Sequence, residues 1–190
     1  MTSLSITHYV PIMAGIWGVS EVLLMLFKRS APGASKDRNS LWLIWLGNSI
    51  GIFGAIWSFP RLRAWALPGR EGILLAALMI FAAGIIIRAY SIIYLGRFFT
   101  ANVAITTDHK LIDTGPYHLV RHPSYTGLFL IFFGFGLSFA NLASLLIMIV
   151  PVYAVFLWRI RVEEQALLGA FGEKYRDYMK RTKRLVPGVY

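Results

Sequence analysis

The chain contains no cysteine. That absence excludes disulfides, thiolate metal ligands and a cysteine nucleophile. Charge is also scarce: 15% of the 190 residues are charged against 57% hydrophobic, and mean hydropathy is +0.61. A soluble domain carries nearer a quarter charged residues, so this composition is that of a membrane protein. There are four histidines, none paired with a carboxylate at ligand spacing, and no metal site is expected. Acidic residues are outnumbered, nine against nineteen basic ones, for a formal net charge of +10. A basic balance serves nucleic acid where it forms a soluble basic face. Here the charges collect between apolar runs, as in a chain threaded through lipid, and no nucleic-acid partner is expected.

Four apolar runs are present, Val10–Phe27, Leu41–Phe59, Gly72–Leu95 and Gly127–Trp158. About 20 residues cross a bilayer core as a helix, so each of the first three predicts one crossing. The stretch MTSLSITHYV has no positive n-region, and the first run is expected to persist as a membrane helix. The fourth run is too long for one crossing without extreme tilt. Ser138-Phe139-Ala140-Asn141 in its middle predicts a turn, because Ser and Asn side chains bond loose backbone groups. The expected fold is all-α and polytopic, with about five transmembrane helices, the last two a helical hairpin. Residues 1–95 hold three of them; residues 96–190 hold a long loop, the hairpin and a C-terminal helix, in one integrated domain.

Lysine and arginine set the orientation. The loop Lys28–Arg38 carries Lys28, Arg29, Lys36 and Arg38, and the segment after Trp158 is strongly basic, whereas the hairpin turn has none. The C-terminus is therefore expected in the cytoplasm. The loop Pro60–Glu71 then faces the opposite side despite Arg61, Arg63 and Arg70, against the rule.

Two ionisable residues fall inside apolar runs, Glu21 and Arg88. Such groups are costly in lipid and are usually paired or functional. Arg88 can snorkel to the interface or pair with Glu21. Gly47, Gly51 and Gly54 share a helical face, read as ordinary membrane glycine in preference to a packing groove.

The stretch LGRFFTANVAITTDHKLIDTGPYHLVRHPSYTG is a polar, aromatic-rich loop between apolar runs. Loops of that length are usually functional or disordered, and its aromatic and β-branched residues argue for packing. After Trp158, Arg159 and Glu163 stand four apart and share a helix face. Glu164, Leu167, Leu168 and Phe171 continue the spacing, with Gly172 as terminator. The last basic residues, Lys180, Arg181, Lys183 and Arg184, read as lipid-headgroup contacts of an interfacial helix.

These two segments carry a resemblance. His109-x-Leu111, Gly115-x-Tyr117 and Arg121-His122-Pro123-Ser124-Tyr125-x-Gly127, then Arg159-x3-Glu163-Glu164 and Phe171-Gly172-x2-Tyr175-x2-Tyr178, closely resemble the signature of the isoprenylcysteine carboxyl methyltransferase family. Phospholipid N-methyltransferases share a looser version. The resemblance implies a membrane enzyme that uses S-adenosyl-L-methionine, with its cofactor-binding loop and active site on the cytoplasmic face. It places His109, Leu111, Ile112, Tyr117, His122, Pro123, Ser124, Tyr125 and Glu164 at the cofactor. Arg159 and Glu163 take the catalytic, acceptor-contacting position.

The chemistry that the resemblance implies suits these residues. A sulfonium is already a strong methyl donor and a carboxylate is ionised at neutral pH, so no general base is required. Alignment and exclusion of water remain. Arg159 can hold a carboxylate in bidentate fashion, with Glu163 fixing the arginine. The partner is then a lipophilic small molecule or lipid taken from the bilayer, most simply an isoprenoid-type carboxylate. A phospholipid amine or a thiol are alternative acceptors. An enone or sterol reductase using NADPH is a rival enzyme class, since its nucleotide phosphates could engage Lys180–Arg184. A non-enzymatic membrane scaffold leaves the polar loop unexplained.

Overall fold

The computed structural model describes residues 6–27, 40–99 and 110–189. Among them the regular structure is helical: α1 (Ile6–Phe27), α2 (Ser40–Ser58), α3 (Arg70–Leu95), the short α4 (Pro116–Leu119), α5 (Pro123–Leu137), α6 (Leu142–Phe171) and α7 (Glu173–Arg181), with two 3-10 turns and two isolated β-bridges. The basic loop Lys28–Arg38 that guided the orientation lies outside the described residues.

The fourth apolar run divides where its length required. Residues 138–141 turn the chain between α5 and α6, and Asn141 caps α6 by accepting the backbone N–H of Ser144 at 3.0 Å. Its amide also donates to the Leu62 carbonyl at 2.8 Å, and Leu67 N–H donates to the Ala140 carbonyl at 2.8 Å. The turn is thereby tied to the loop between α2 and α3. The Arg159–Phe171 segment does not start a new helix: α6 runs unbroken through Trp158 for 30 residues and stops at Gly172, whose φ of +53° suits glycine.

Among the described residues two helices have the length and apolarity to cross a bilayer, Arg70–Phe98 and Leu142–Phe171; Pro11–Leu24, Trp42–Ser58 and Pro123–Leu137 are shorter apolar stretches. Side chains such as Val19, Phe53, Trp57, Leu75, Ile86 and Ile93 are more than half exposed on the outer faces of α1, α2 and α3. An apolar band of that extent fits hydrocarbon and not water.

Inside the bundle α3 packs on α5, and α2 and α5 pack on α6. Phe81, Ile131, Phe132, Phe135, Met148, Val152 and Phe156 form the core. The glycine face of α2 corrects the bland reading. A Cβ at Gly51 would stand 2.8 Å from the Met148 carbonyl and one at Gly47 2.5 Å from Val155, so the face is a groove that seats α6. The same device recurs between α3 and α5, where a Cβ at Gly127 would stand 2.7 Å from both the Gly84 carbonyl and the Arg88 backbone nitrogen. α1 leans on this frame more lightly, with Met13 and Trp17 buried and Trp17 edge-on to Phe132 at 5.0 Å.

Candidate active site

The site forms where the second half of α6 meets the start of α5. Phe156, Arg159, Ile160, Glu163 and Glu164 recur at three- and four-residue spacing, so they share one face of α6. Pro123 starts α5 in the N1 position, where its missing N–H costs nothing. That start holds His122 and Tyr125 against the α6 face, while Ser124 meets α3, where Arg88 Nη1 donates to its hydroxyl at 2.9 Å.

Tyr125 links the two catalytic candidates. Arg159, only 2% exposed, donates from Nε to the Tyr125 hydroxyl at 3.3 Å, and that hydroxyl donates to Glu163 Oε2 at 3.1 Å. The His122 ring stands edge-on to Tyr125 with centroids 5.7 Å apart, and its Nδ1 is 3.9 Å from Glu163 Oε1. Its Nε2 is 3.5 Å from Glu164 Oε1 but makes no hydrogen bond. Among the described residues the buried hydroxyl of Tyr175 makes no hydrogen bond either. Glu163 keeps about a third of its side-chain surface, 32%, so its carboxylate is the accessible acid of the pair.

Glu164 is held quite differently. It is buried, with Arg121 Nε on one oxygen at 2.9 Å and Arg184 Nη2 on the other at 2.7 Å. Arg121 also donates to the carbonyls of Met179 and Thr182. The backbone follows the same path: Arg121 N–H donates to the Lys183 carbonyl at 2.8 Å and His122 N–H to that of Arg184 at 3.0 Å. Thr126 adds a bond from Oγ1 to the Leu185 carbonyl at 2.8 Å. The tail therefore lies along the entry to α5 like a short parallel strand.

Tyrosines join the remaining pieces. Tyr178 donates to the Tyr117 carbonyl at 2.6 Å, and Tyr117 donates to the Ser91 carbonyl at 3.2 Å. Burial pushes the hydroxyls of Tyr117, Tyr175 and Tyr178 well above the usual phenol range, so all three are neutral donors at physiological pH. Leu111 and Ile112 are half-buried just before α4, beside Asp113, which pairs with Arg181 at 3.2 Å. His109 lies outside the described residues.

Of the residues singled out from sequence, His122, Pro123, Ser124, Tyr125, Arg159, Glu163 and Glu164 converge, and Tyr117 joins them through Tyr178. Arg184 was read as a lipid contact; the structure corrects this, since its guanidinium is spent on Glu164. The intramembrane charges are resolved as a pair: Arg88 meets Glu21 through two bonds, Nε to Oε1 at 2.7 Å and Nη2 to Oε2 at 2.8 Å. Among the described residues no group of three acidic or histidine side chains is placed to hold a metal ion.

The sequence profile of the phospholipid methyltransferase family matches residues 73–174, which take in α3 from Ile73, the polar loop, α4, α5, α6 and the first two residues of α7. The chain belongs to this family. Among its relatives, protein-S-isoprenylcysteine O-methyltransferase B of Arabidopsis thaliana is 37% identical over 108 residues, covering 56% of this chain and 55% of that protein. The enzyme of the same name from Schizosaccharomyces pombe is 32% identical over 114 residues, covering 59% and 48%. This phospholipid methyltransferase family member thus spans about half the length of the curated relatives it matches, and they bear out the resemblance to isoprenylcysteine methyltransferases. Its fold is also that of a solved eukaryotic intramembrane Ras methyltransferase, an isoprenylcysteine carboxyl methyltransferase. The TM-score is 0.68 at 23% identity, covering 97% of this chain and 67% of the other. The fold is therefore that of a membrane protein.

Proposed function

We propose that this protein is an integral membrane methyltransferase that uses S-adenosyl-L-methionine and methylates the carboxylate of a lipophilic, isoprenoid-type acceptor. The observation that carries the reading is the Arg159–Tyr125–Glu163 chain of hydrogen bonds within the matched segment, buried at Arg159 and open at Glu163. Five crossings, with the C-terminus and the site in the cytoplasm, would use the two long helices, the three shorter apolar ones and the basic tail. In this reading residues 1–95 form the membrane frame and residues 96–190 carry the site.

The residues present fit the cofactor. Among the described residues, His122 Nε2 and the Tyr175 hydroxyl are buried polar atoms that make no hydrogen bond, and each such atom is costly unless something bonds it. Glu163 adds an accessible negative charge beside them, suited to a cationic ligand. Leu111, Ile112, Tyr117, His122, Pro123, Ser124 and Tyr125 would line the cofactor, with His109 completing the set. When bound, the cofactor supplies an electrophilic methyl group.

The chain's own task is to bind, align and exclude water. Arg159 grips the acceptor carboxylate. Its bond to Tyr125 is long at 3.3 Å, and a carboxylate replaces that neutral contact with a stronger charge-assisted one. Tyr125 then remains on Glu163 and holds that carboxylate in place. Glu164 has both oxygens engaged by arginines, so it acts by bracing the wall beside the cofactor. Because the acceptor is already ionised, no residue needs to remove a proton from it.

Protein purified in detergent should bind S-adenosylhomocysteine in preference to NADPH by calorimetry, and then methylate an isoprenoid carboxylate. A preference for NADPH would move the assignment to the reductases. The family profile favours one second acceptor, a phospholipid amine. Glu163 in place of Arg159 would face that amine, and methylation of phospholipid that survives loss of Arg159 would identify it.

A further inference from the structure

We infer that Arg88 is a positioning residue: charge-balanced by Glu21, it sets the Ser124 turn from which His122 and Tyr125 face the methyl donor. This rests on the methyltransferase reading given above. All three working nitrogens of Arg88 are committed. Nε and Nη2 hold the Glu21 carboxylate at 2.7 and 2.8 Å, and Nη1 donates to Ser124 Oγ at 2.9 Å. Arg88 is 9% exposed, and the side chains of the ion pair are 11% and 14% exposed.

A membrane ion pair that serves stability alone needs two residues. Here a third bond leaves the pair and ends on the first turn of α5, two residues from His122 and next to Tyr125. Backbone geometry prepares this contact. Gly127 lets α5 approach the Arg88 backbone so closely that a Cβ would stand 2.7 Å from Arg88 N. Ser124 lies three residues earlier and so shares the Gly127 face of α5, within reach of the guanidinium. Glu21 has two effects. It removes the cost of an isolated charge in lipid, and its bidentate grip fixes the plane of the guanidinium, which aims Nη1. A lysine lacks that fork: it can keep the charge and meet Glu21, but it cannot hold both carboxylate oxygens and also reach Ser124 in one geometry.

The test uses Arg88→Lys, Ser124→Ala and the double variant, with Glu21→Gln/Arg88→Gln as a charge-neutral control. S-adenosylhomocysteine affinity is measured by calorimetry beside the thermal unfolding midpoint in detergent. Arg88→Lys should keep a near-native midpoint yet weaken the ligand about fivefold to tenfold, the scale of one ordinary hydrogen bond, because the contact acts on the ligand only through the turn. The double variant should bind no more weakly than Ser124→Ala, because both changes remove the same contact. Native affinity in Arg88→Lys, or additive losses in the double variant, would overturn the inference. So would a Glu21→Gln/Arg88→Gln protein that loses midpoint while keeping native affinity, since the pair would then be structural only. Failure of the wild-type protein to bind the ligand would instead overturn the methyltransferase reading. In that case hydrogen exchange at the amides of residues 122–126 decides: faster exchange in Arg88→Lys supports the positioning role, and unchanged exchange removes it.

Discussion

The two ends of α5 solve the same problem with different chemistry. At its C-terminal end, neutral groups from neighbouring stretches close the turn. Ser138 donates to the Phe135 carbonyl, Asn141 caps α6, and its amide reaches Leu62. No ionised side chain takes part in these bonds. At its N-terminal end, Arg88 arrives from α3, Glu163 and Glu164 from α6, and Arg184 from the tail. Neutral bonds suffice to hold a turn. Charges drawn from distant parts of the chain are costly to bury unless they are paired, and they can bind charged molecules. The contrast separates scaffold from site within one helix of 15 residues.

The strongest test of that contrast is at Glu164. Glu164→Ala leaves Arg121 and Arg184 facing each other without their shared carboxylate, and breaking such a buried pair costs about 3–5 kcal/mol. Thermal or denaturant unfolding in detergent should show it. An unchanged midpoint would mean that the charged end contributes no more to stability than the neutral one.

Arg159→Ala probes function at the same end. Loss of a charge-assisted contact made in the transition state costs about 1.5–3 kcal/mol, roughly tenfold to more than a hundredfold in turnover. S-adenosylhomocysteine affinity should stay near native, whereas His122→Ala should weaken it. Undiminished turnover in Arg159→Ala would remove the carboxylate grip.

Gly127→Ala tests the shape-held middle of α5. The new methyl meets backbone on α3 and not a yielding side chain, so the helices must part, at about 1–3 kcal/mol. The smallest effect belongs to the neutral end. Asn141→Ala removes the cap bond and the bond to the Leu62 carbonyl, together about 1–2 kcal/mol, and should leave turnover untouched. A large loss of turnover there would show that the two ends are coupled.

Much of this was legible in the sequence where spacing or length carries the information. The fourth apolar run was too long for one crossing, and its turn falls at Ser138–Asn141 as read. Arg159 and Glu163 share a face because they are four apart, although the hydroxyl of Tyr125 that joins them comes from another helix. Glu21 and Arg88 were readable as a pair from the cost of charge in lipid, but not the third bond to Ser124. The clasp on Glu164 was hidden. Its arginines stand 43 and 20 positions away, with no periodicity to connect them, and Arg184 sits in a basic tail that resembles any headgroup-binding segment. The glycine face of α2 was visible, but its partner was not, since a groove can be named only when the helix that fills it is known.

The strand-like pairing of the tail also sets an order of events during synthesis. Among the described residues the amides of Arg121 and His122 find their acceptors on Lys183 and Arg184, and the Thr126 hydroxyl, which also meets the local His122 carbonyl, gains its shorter bond with Leu185, 59 positions later in the chain. Until the ribosome has passed that point, the entry to α5 has donors with nowhere to go, and Glu164 has lost one of its two arginines. Buried backbone donors do not stay unpaired, so the turn remains hydrated and loose while the hairpin behind it is already complete. The apolar helices can therefore enter the bilayer first, and the chemical end of the molecule is complete only once the tail has come back across it.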